Sequence, residues 1–447
     1  MVTPALPAIA EELGVSDGEI GRASSLFFLA SAVSGLFLSR WSDFIGRKPT
    51  FMIVMTFLVI GTFLSATATS LPVLLIGRVL QGFSGAAFQL AYVTLNQILT
   101  PKAFASALGV ITAVNGGVGG LDGWWGGILV ENFGYQSIFW IILVVALIAW
   151  LGIILVVPNQ KPTDTEGSMD WLGATLLGLA LIAITLFIEW GPAAGWTTPS
   201  TMLLFAGFVV FVVLFVLAEK RVETPMFPIE ALTSRQVWPV VLTTFLALTS
   251  VFAVINFVLV MYSQNFTVGF GMEADEASLR FLTPPAMIGL ISAPAAGWLA
   301  GKFGWKEVAM SGLVLSIGAI AVIWMFLDQE WIVFAMVIVL GVSYNGLILT
   351  TINGMGVVQS PKSAPGALPG LNSAAFGVGA SMGITLVSPI VARGGFGDFK
   401  TALLVLAGIA VLALLSASMI RPAYTKGEAG DGAAAAPGEI ESGTEKQ

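Results

Sequence analysis

Thirteen apolar runs, each near the length of a membrane-crossing helix, follow one another along this chain. They lie near 23–39, 51–69, 72–98, 105–129, 137–157, 171–190, 200–218, 237–262, 279–300, 307–327, 331–354, 367–391 and 401–420. A helix of about 20 apolar residues spans the bilayer core, and backbone exposed to lipid must satisfy its own hydrogen bonds. The expected fold is therefore an all-α, polytopic membrane protein. Charged residues make up 10% of the chain and hydrophobic ones 56%. Soluble domains carry about 25% charged residues, and a soluble core could not hide this much apolar surface.

The connections between the runs carry a second signal. Ser39-Arg40-Trp41-Ser42-Asp43-Phe44-Ile45-Gly46-Arg47-Lys48 and Gly297-Trp298-Leu299-Ala300-Gly301-Lys302-Phe303-Gly304-Trp305-Lys306 lie 258 residues apart and read alike. Each is a basic, glycine-bearing turn between two apolar runs. A turn repeated at equivalent places predicts two related halves that rock about a mid-membrane site. The predicted layout is 6+2+6. It comprises a six-helix bundle over 1–158, a linker with two extra helices over 159–236 and a second six-helix bundle over 237–421. Residues 422–447, rich in Gly, Ala and Glu, read as a disordered cytoplasmic tail. The opening Met1–Ala10 is apolar but only about 15 Å long as a helix, and reads as the outer end of a first span that begins upstream.

Placing the Arg40–Lys48 turn in the cytoplasm puts fourteen of the nineteen basic residues on that side, as the positive-inside rule requires. The C-terminus is then cytoplasmic. With no cysteine and no histidine, disulfides, thiolate metal sites and thiol catalysis are excluded, and proton chemistry near neutral pH falls to carboxylates. No G-x-x-x-x-G-K phosphate loop is present. Nothing in the pattern supports an enzyme, a cofactor, a metal site or a nucleic-acid partner. The expected partners are the lipid bilayer, protons and a small-molecule substrate, with the protein acting as a monomer.

Four groups of residues are candidates for function. Asp43, Gly46, Arg47 and Lys48 read as a gate, with Asp43 placed to meet the N-terminus of span 367–391, where unpaired N–H groups favour an anion. Gly301 occupies the matching place in the second half, so the clamp is expected on one side only. On span 72–98, Arg78, Gln81, Gln89 and Tyr92 share one helical face, which must look into the bundle rather than lipid. The glycine-rich stretch Asn115–Gly127 holds Asp122, the only carboxylate well inside a span, together with Trp124. By helical rise Arg78 lies about 9 Å and Asp122 about 11 Å below the outer face, depths that suit a proton-switched pair. Asn256, Asn345 and Asn372 are further polar positions within spans, as suited to interhelical hydrogen bonds as to substrate.

These residues resemble the major facilitator superfamily and, within it, the fourteen-span drug:proton antiporter branch. Asp43, Gly46, Arg47 and Lys48 match the family's first loop motif, with a degenerate copy at Gly297, Leu299, Ala300, Gly304 and Lys306. Arg78, Gln81, Gly82, Ala86 and Ala87 match a second motif whose arginine the family links to proton coupling. Gly126 and Gly127 fit the end of the antiporter signature, while Asp122-Gly123 stand where it has Gly-Pro. The resemblance implies a multi-pass protein of the bacterial plasma membrane that exports a small amphipathic or cationic organic compound against protons. Proton-coupled uptake of a polar metabolite, or a transport-inactive receptor with the same fold, are the alternatives.

Overall fold

The computed structural model describes residues 6–15, 17–159, 162, 168–222, 225–227, 232–361 and 364–421. The opening residues 1–5 and the expected tail 422–447 lie outside the described residues. Among the described residues every regular element is a helix. In the first half they are α1 (Leu6–Leu13), α2 (Asp17–Ile45), α3 (Arg47–Ala66), α4 (Leu71–Gly82), α5 (Gly85–Ile98), α6 (Pro101–Phe133) and α7 (Gln136–Val156). The extra pair is α8 (Trp171–Ala194) and α9 (Pro199–Glu219). The second half holds α10 (Trp238–Gln264), α11 (Ser278–Phe303), α12 (Trp305–Met325), α13 (Glu330–Val358), α14 (Ala367–Val391) and α15 (Phe396–Met419).

Twelve stretches among the described residues are long and apolar enough to cross a membrane, with α4 and α5 counted as one. The 33-residue α6 is a further helix of more than spanning length. The chain is an integral membrane protein. Run 72–98, expected as one helix, is broken at Phe83–Ser84. Tight i→i−3 bonds (Phe83 N–H to Leu80 O at 3.2 Å, Ser84 N–H to Gln81 O at 3.0 Å) replace the α-helical ladder there. Gly82 and Gly85 flank the break because α2 comes too close for side chains. A methyl on Gly82 would lie 2.6 Å from Phe27 O, and one on Gly85 1.9 Å from Ser31 Oγ.

The two repeated turns fold alike. Gly46 (φ 94°, ψ 157°) and Gly304 (φ 106°, ψ 148°) both take the positive φ that favours glycine, and each starts the next helix. Lys48 Nζ donates to Ile154 O at the end of α7 at 2.8 Å. Its counterpart Lys306 donates to Ser418 O and Ile420 O, at the end of α15, at 2.6 and 2.8 Å. Each lysine thus neutralises the negative C-terminal end of the last helix of its own half.

The halves meet along two seams, α2 against α14 and α6 against α11. Toward the end that carries Asp43, both bring backbone close to backbone. Methyls built on Gly366 and Gly370 would lie 2.1 Å from Ser39 O and 2.7 Å from Leu36 O. On the other seam, methyls on Gly297 and Gly109 would lie 2.2 Å from Ala105 O and 2.5 Å from Ala293 O. Glycine therefore lets the helices meet backbone to backbone at the Asp43 end. The extra helices pair with each other, and α8 also lies against α2 and α14.

Candidate gate and transport path

Asp43 is completely buried. Its Oδ2 accepts from Arg40 Nη1 at 2.7 Å and from the backbone N–H of Gly366 at 3.1 Å. Arg47 Nη2 lies 2.6 Å from its Oδ1. Gly366 is the N-cap of α14, so two guanidiniums and a helix N-terminus converge on one carboxylate. Arg47 Nη1 also donates to Ser42 Oγ, and the Arg40 guanidinium sits 4.6 Å from the Phe44 ring centre. Arg40 was not among the sequence candidates. Its signal was its position three residues before Asp43, one helical turn away.

The second copy closes differently. A methyl on Gly301 would meet Ala105 Cβ at 3.4 Å, and Trp305, in the place of Arg47, packs its ring 6.0 Å from that of Phe104. Backbone contact and aromatic packing thus fill that seam where the first has ions.

Arg78 is buried in α4. Its Nη1 donates to Gln81 Oε1 at 2.8 Å, its Nε reaches Ala23 O at 3.3 Å, and the guanidinium stands 4.3 Å from the Phe27 ring centre. Gln81 Nε2 in turn donates to Thr62 Oγ1 at 3.0 Å. The arginine therefore ties α4 to α2, and Gln81 extends the tie to α3. The side chains of Asp122 and Trp124 lie outside the described residues, as does the expected Arg78–Asp122 pair.

The remaining candidates separate into buried and open positions. Gln89 and Tyr92 are buried, Tyr92 among Phe104, Leu108 and Val357. Asn372 is buried too, accepting from Thr244 Oγ1 and donating to Ile352 O at 3.3 Å. Asn345 Nδ2 donates to Pro285 O at 2.9 Å, which leaves its Oδ1 facing Gly116 of α6. Asn115 and Asn256 are exposed. An exposed amide in mid-span faces lipid or a wet path, and lipid is the costly choice. Asn256 lies in one of the π-helical turns of α10 and donates to Phe252 O at 3.1 Å, so its carbonyl oxygen remains free of that bond.

Residues 1–384 match the family described as the Major Facilitator Superfamily. The chain belongs to the Major Facilitator Superfamily. This superfamily protein is 34% identical over 396 residues to the uridine/deoxyuridine transporter of Lactococcus lactis subsp. cremoris, a match covering 87% of this chain and 82% of that one. It is 25% identical over 402 residues to the tetracenomycin C resistance and export protein of Streptomyces glaucescens, covering 88% and 72%. The crystal structure of the human organic anion transporter MFSD10 (TETRAN) has the same fold, with a TM-score of 0.64, 14% identity and coverage of 92% and 88%. The chain is a transporter and not an enzyme.

Proposed function

We propose that this transporter moves a small, uncharged, polar solute of the nucleoside class, coupled to protons, by rocking its two halves about a mid-membrane site. The likeness to the Lactococcus uridine/deoxyuridine transporter carries the reading, being 34% identical along 82% of that protein. The open amides of Asn115 and Asn256 suit such a solute, because an amide both donates to and accepts from imide and hydroxyl groups. In this reading the Asp43 end faces the cytoplasm of a bacterial cell, the protein acts as a monomer, and the Asp43 cluster is the cytoplasmic gate. The closed Asp43 end then belongs to the outward-facing state. Solute enters from outside, and opening the gate breaks the buried ion cluster. Asp122, on the glycine-rich helix, is the proton carrier, and Arg78 is the group released when it is protonated.

The second reading is proton-driven export of amphipathic or cationic compounds. The Streptomyces exporter and an acidic residue within α6, which would attract a cation, favour it. Proteoliposomes with an imposed pH gradient separate the two. Accumulation of labelled uridine with the proton flow, competed by deoxyuridine and lost with a protonophore, is expected. No uridine flux, with a lipophilic cation moving against the proton flow, would transfer the assignment to export. Asp122→Asn is expected to abolish gradient-driven accumulation while leaving counterflow exchange. Unchanged gradient-driven uptake would remove Asp122 from the coupling.

A further inference from the structure

The two helices between the halves bring together a second set of carboxyls, which neither the gate nor the transport path uses. Asp170 is the N-cap of α8, its Oδ1 accepting from Gly173 N–H at 2.8 Å. Glu219 is the last residue of α9, and its Oε1 accepts from Phe227 N–H at 3.2 Å. The two are only 7% and 4% exposed. A methyl on Gly173 would lie 2.2 Å from Asp170 Oδ2 and 3.3 Å from Glu219 Oε1, so both carboxyls converge on one glycine. Among the described residues, Asp170 Oδ2 and Glu219 Oε2 are buried without a hydrogen-bond partner.

Two carboxylates buried side by side repel each other and lose hydration, so the site favours a single negative charge. One proton on the pair removes a charge and supplies a donor where the described residues offer these oxygens none. The helices decide where it resides. Asp170 sits at a helix N-terminus, where its Oδ1 already holds a backbone N–H, while Glu219 sits at a helix C-terminus, beside carbonyl oxygens that attract a donor. Among the described residues, Arg40 of α2 is a cation whose charge reaches Glu219, but its guanidinium is engaged by Asp43. Lys220 and Arg221 beside Glu219 are exposed. Phe37 and Trp41 of α2 pack their rings 5.2 and 5.7 Å from that of Trp171, next to Asp170. Met226 and Phe227 share one apolar cluster with Leu36, Ala364 and Ala367, behind the Asp43 cluster.

We propose that Asp170 and Glu219 hold one shared proton, and that this pair is a pH-sensitive brace pinning the α8–α9 hairpin and Met226–Phe227 against the start of α14. The folded protein then binds a proton that the unfolded chain releases more readily. The brace is complete at low pH and is lost as pH rises. It is independent of the substrate, so failure of the nucleoside reading leaves it standing.

The test is thermal unfolding of the purified full chain in detergent, from about pH 5.5 to about pH 9. The wild-type midpoint should fall as pH rises. Glu219→Gln should lose most of that fall and be the more stable protein at high pH, because its amide donates to Asp170 Oδ2 as the acid did. An unchanged pH slope, or failure of Glu219→Gln to fold, would overturn the shared proton. Restoration of the wild-type midpoint at high pH by sodium or calcium chloride, but not by choline chloride, would also overturn it and assign a metal cation instead. Hydrogen exchange at high pH reads the link to the gate. Amides of 364–370 should exchange faster in the wild type than in Glu219→Gln, and equal protection would overturn the brace.

Discussion

Asp43→Asn removes one negative charge from a site where two guanidiniums and a helix N-terminus converge on it. The asparagine oxygen can still accept from Gly366 N–H, so the change isolates charge from shape. Arg40 and Arg47 are almost completely buried, at 3% and 2% exposure. Leaving buried charges unpaired costs about 3–5 kcal/mol. An opened gate lets water reach them and relieves part of that cost, so the closed state bears most of the penalty. If only about 2 kcal/mol separates the two states, the closed-to-open ratio falls about thirtyfold. A chain without cysteine allows a single reporter at Ala364, which is 1% exposed and adjoins the α14 cap. Ala364→Cys should react slowly with a maleimide in the otherwise wild-type protein, and about thirtyfold faster with Asp43→Asn added. A second reporter at Ala66, buried at the opposite end of α3, controls for global loosening and should not change. Equal rates at Ala364→Cys in both backgrounds would refute the ion-clamp reasoning. Equal acceleration at both reporters would refute a local gate.

Two further perturbations probe the same architecture. Gly370→Val places a side chain where a methyl already meets Leu36 O at 2.7 Å and Leu36 Cα at 3.0 Å. It should wedge the α2–α14 seam at a cost of about 1–3 kcal/mol, raising Ala364→Cys labelling and lowering the thermal midpoint, as cysteine kinetics and calorimetry will read. Arg78→Lys keeps the charge but cannot reach Gln81, Ala23 O and the Phe27 ring together. Gradient-driven flux in proteoliposomes should fall at least about tenfold, an energy of about 1.4 kcal/mol, and flux equal to wild type would deny Arg78 a role beyond charge.

The helices and the repeated turns were legible because their causes are local. Hydrocarbon demands a continuous apolar run about 20 residues long, so the runs near 137–157 and 401–420 announce α7 and α15 without any partner. Gly46 and Gly304 each sit where the chain must reverse with positive φ, and a lysine two residues later is positioned by that same turn. Local pattern failed where one helix is bent by another. The break at Phe83–Ser84 answers to the backbone of α2, not to the residues of run 72–98.

Asp43 could be matched to the N-terminus of span 367–391 from topology, because both lie at the same membrane face. Which atom donates to it is a tertiary matter: the donor is the backbone N–H of Gly366, 323 residues away. Arg40 joins because α2 packs deeply enough against α14 to bury it. The meeting of Asp170 and Glu219 was equally invisible, since each alone reads as an interfacial charge at a helix end. Sequence by itself determined which segments enter the membrane, because the transfer of each side chain into hydrocarbon is a property of that segment alone. Only the packed structure decided which polar groups are buried together, because the cost of a buried charge depends on the neighbours that remove its water and on those that replace it.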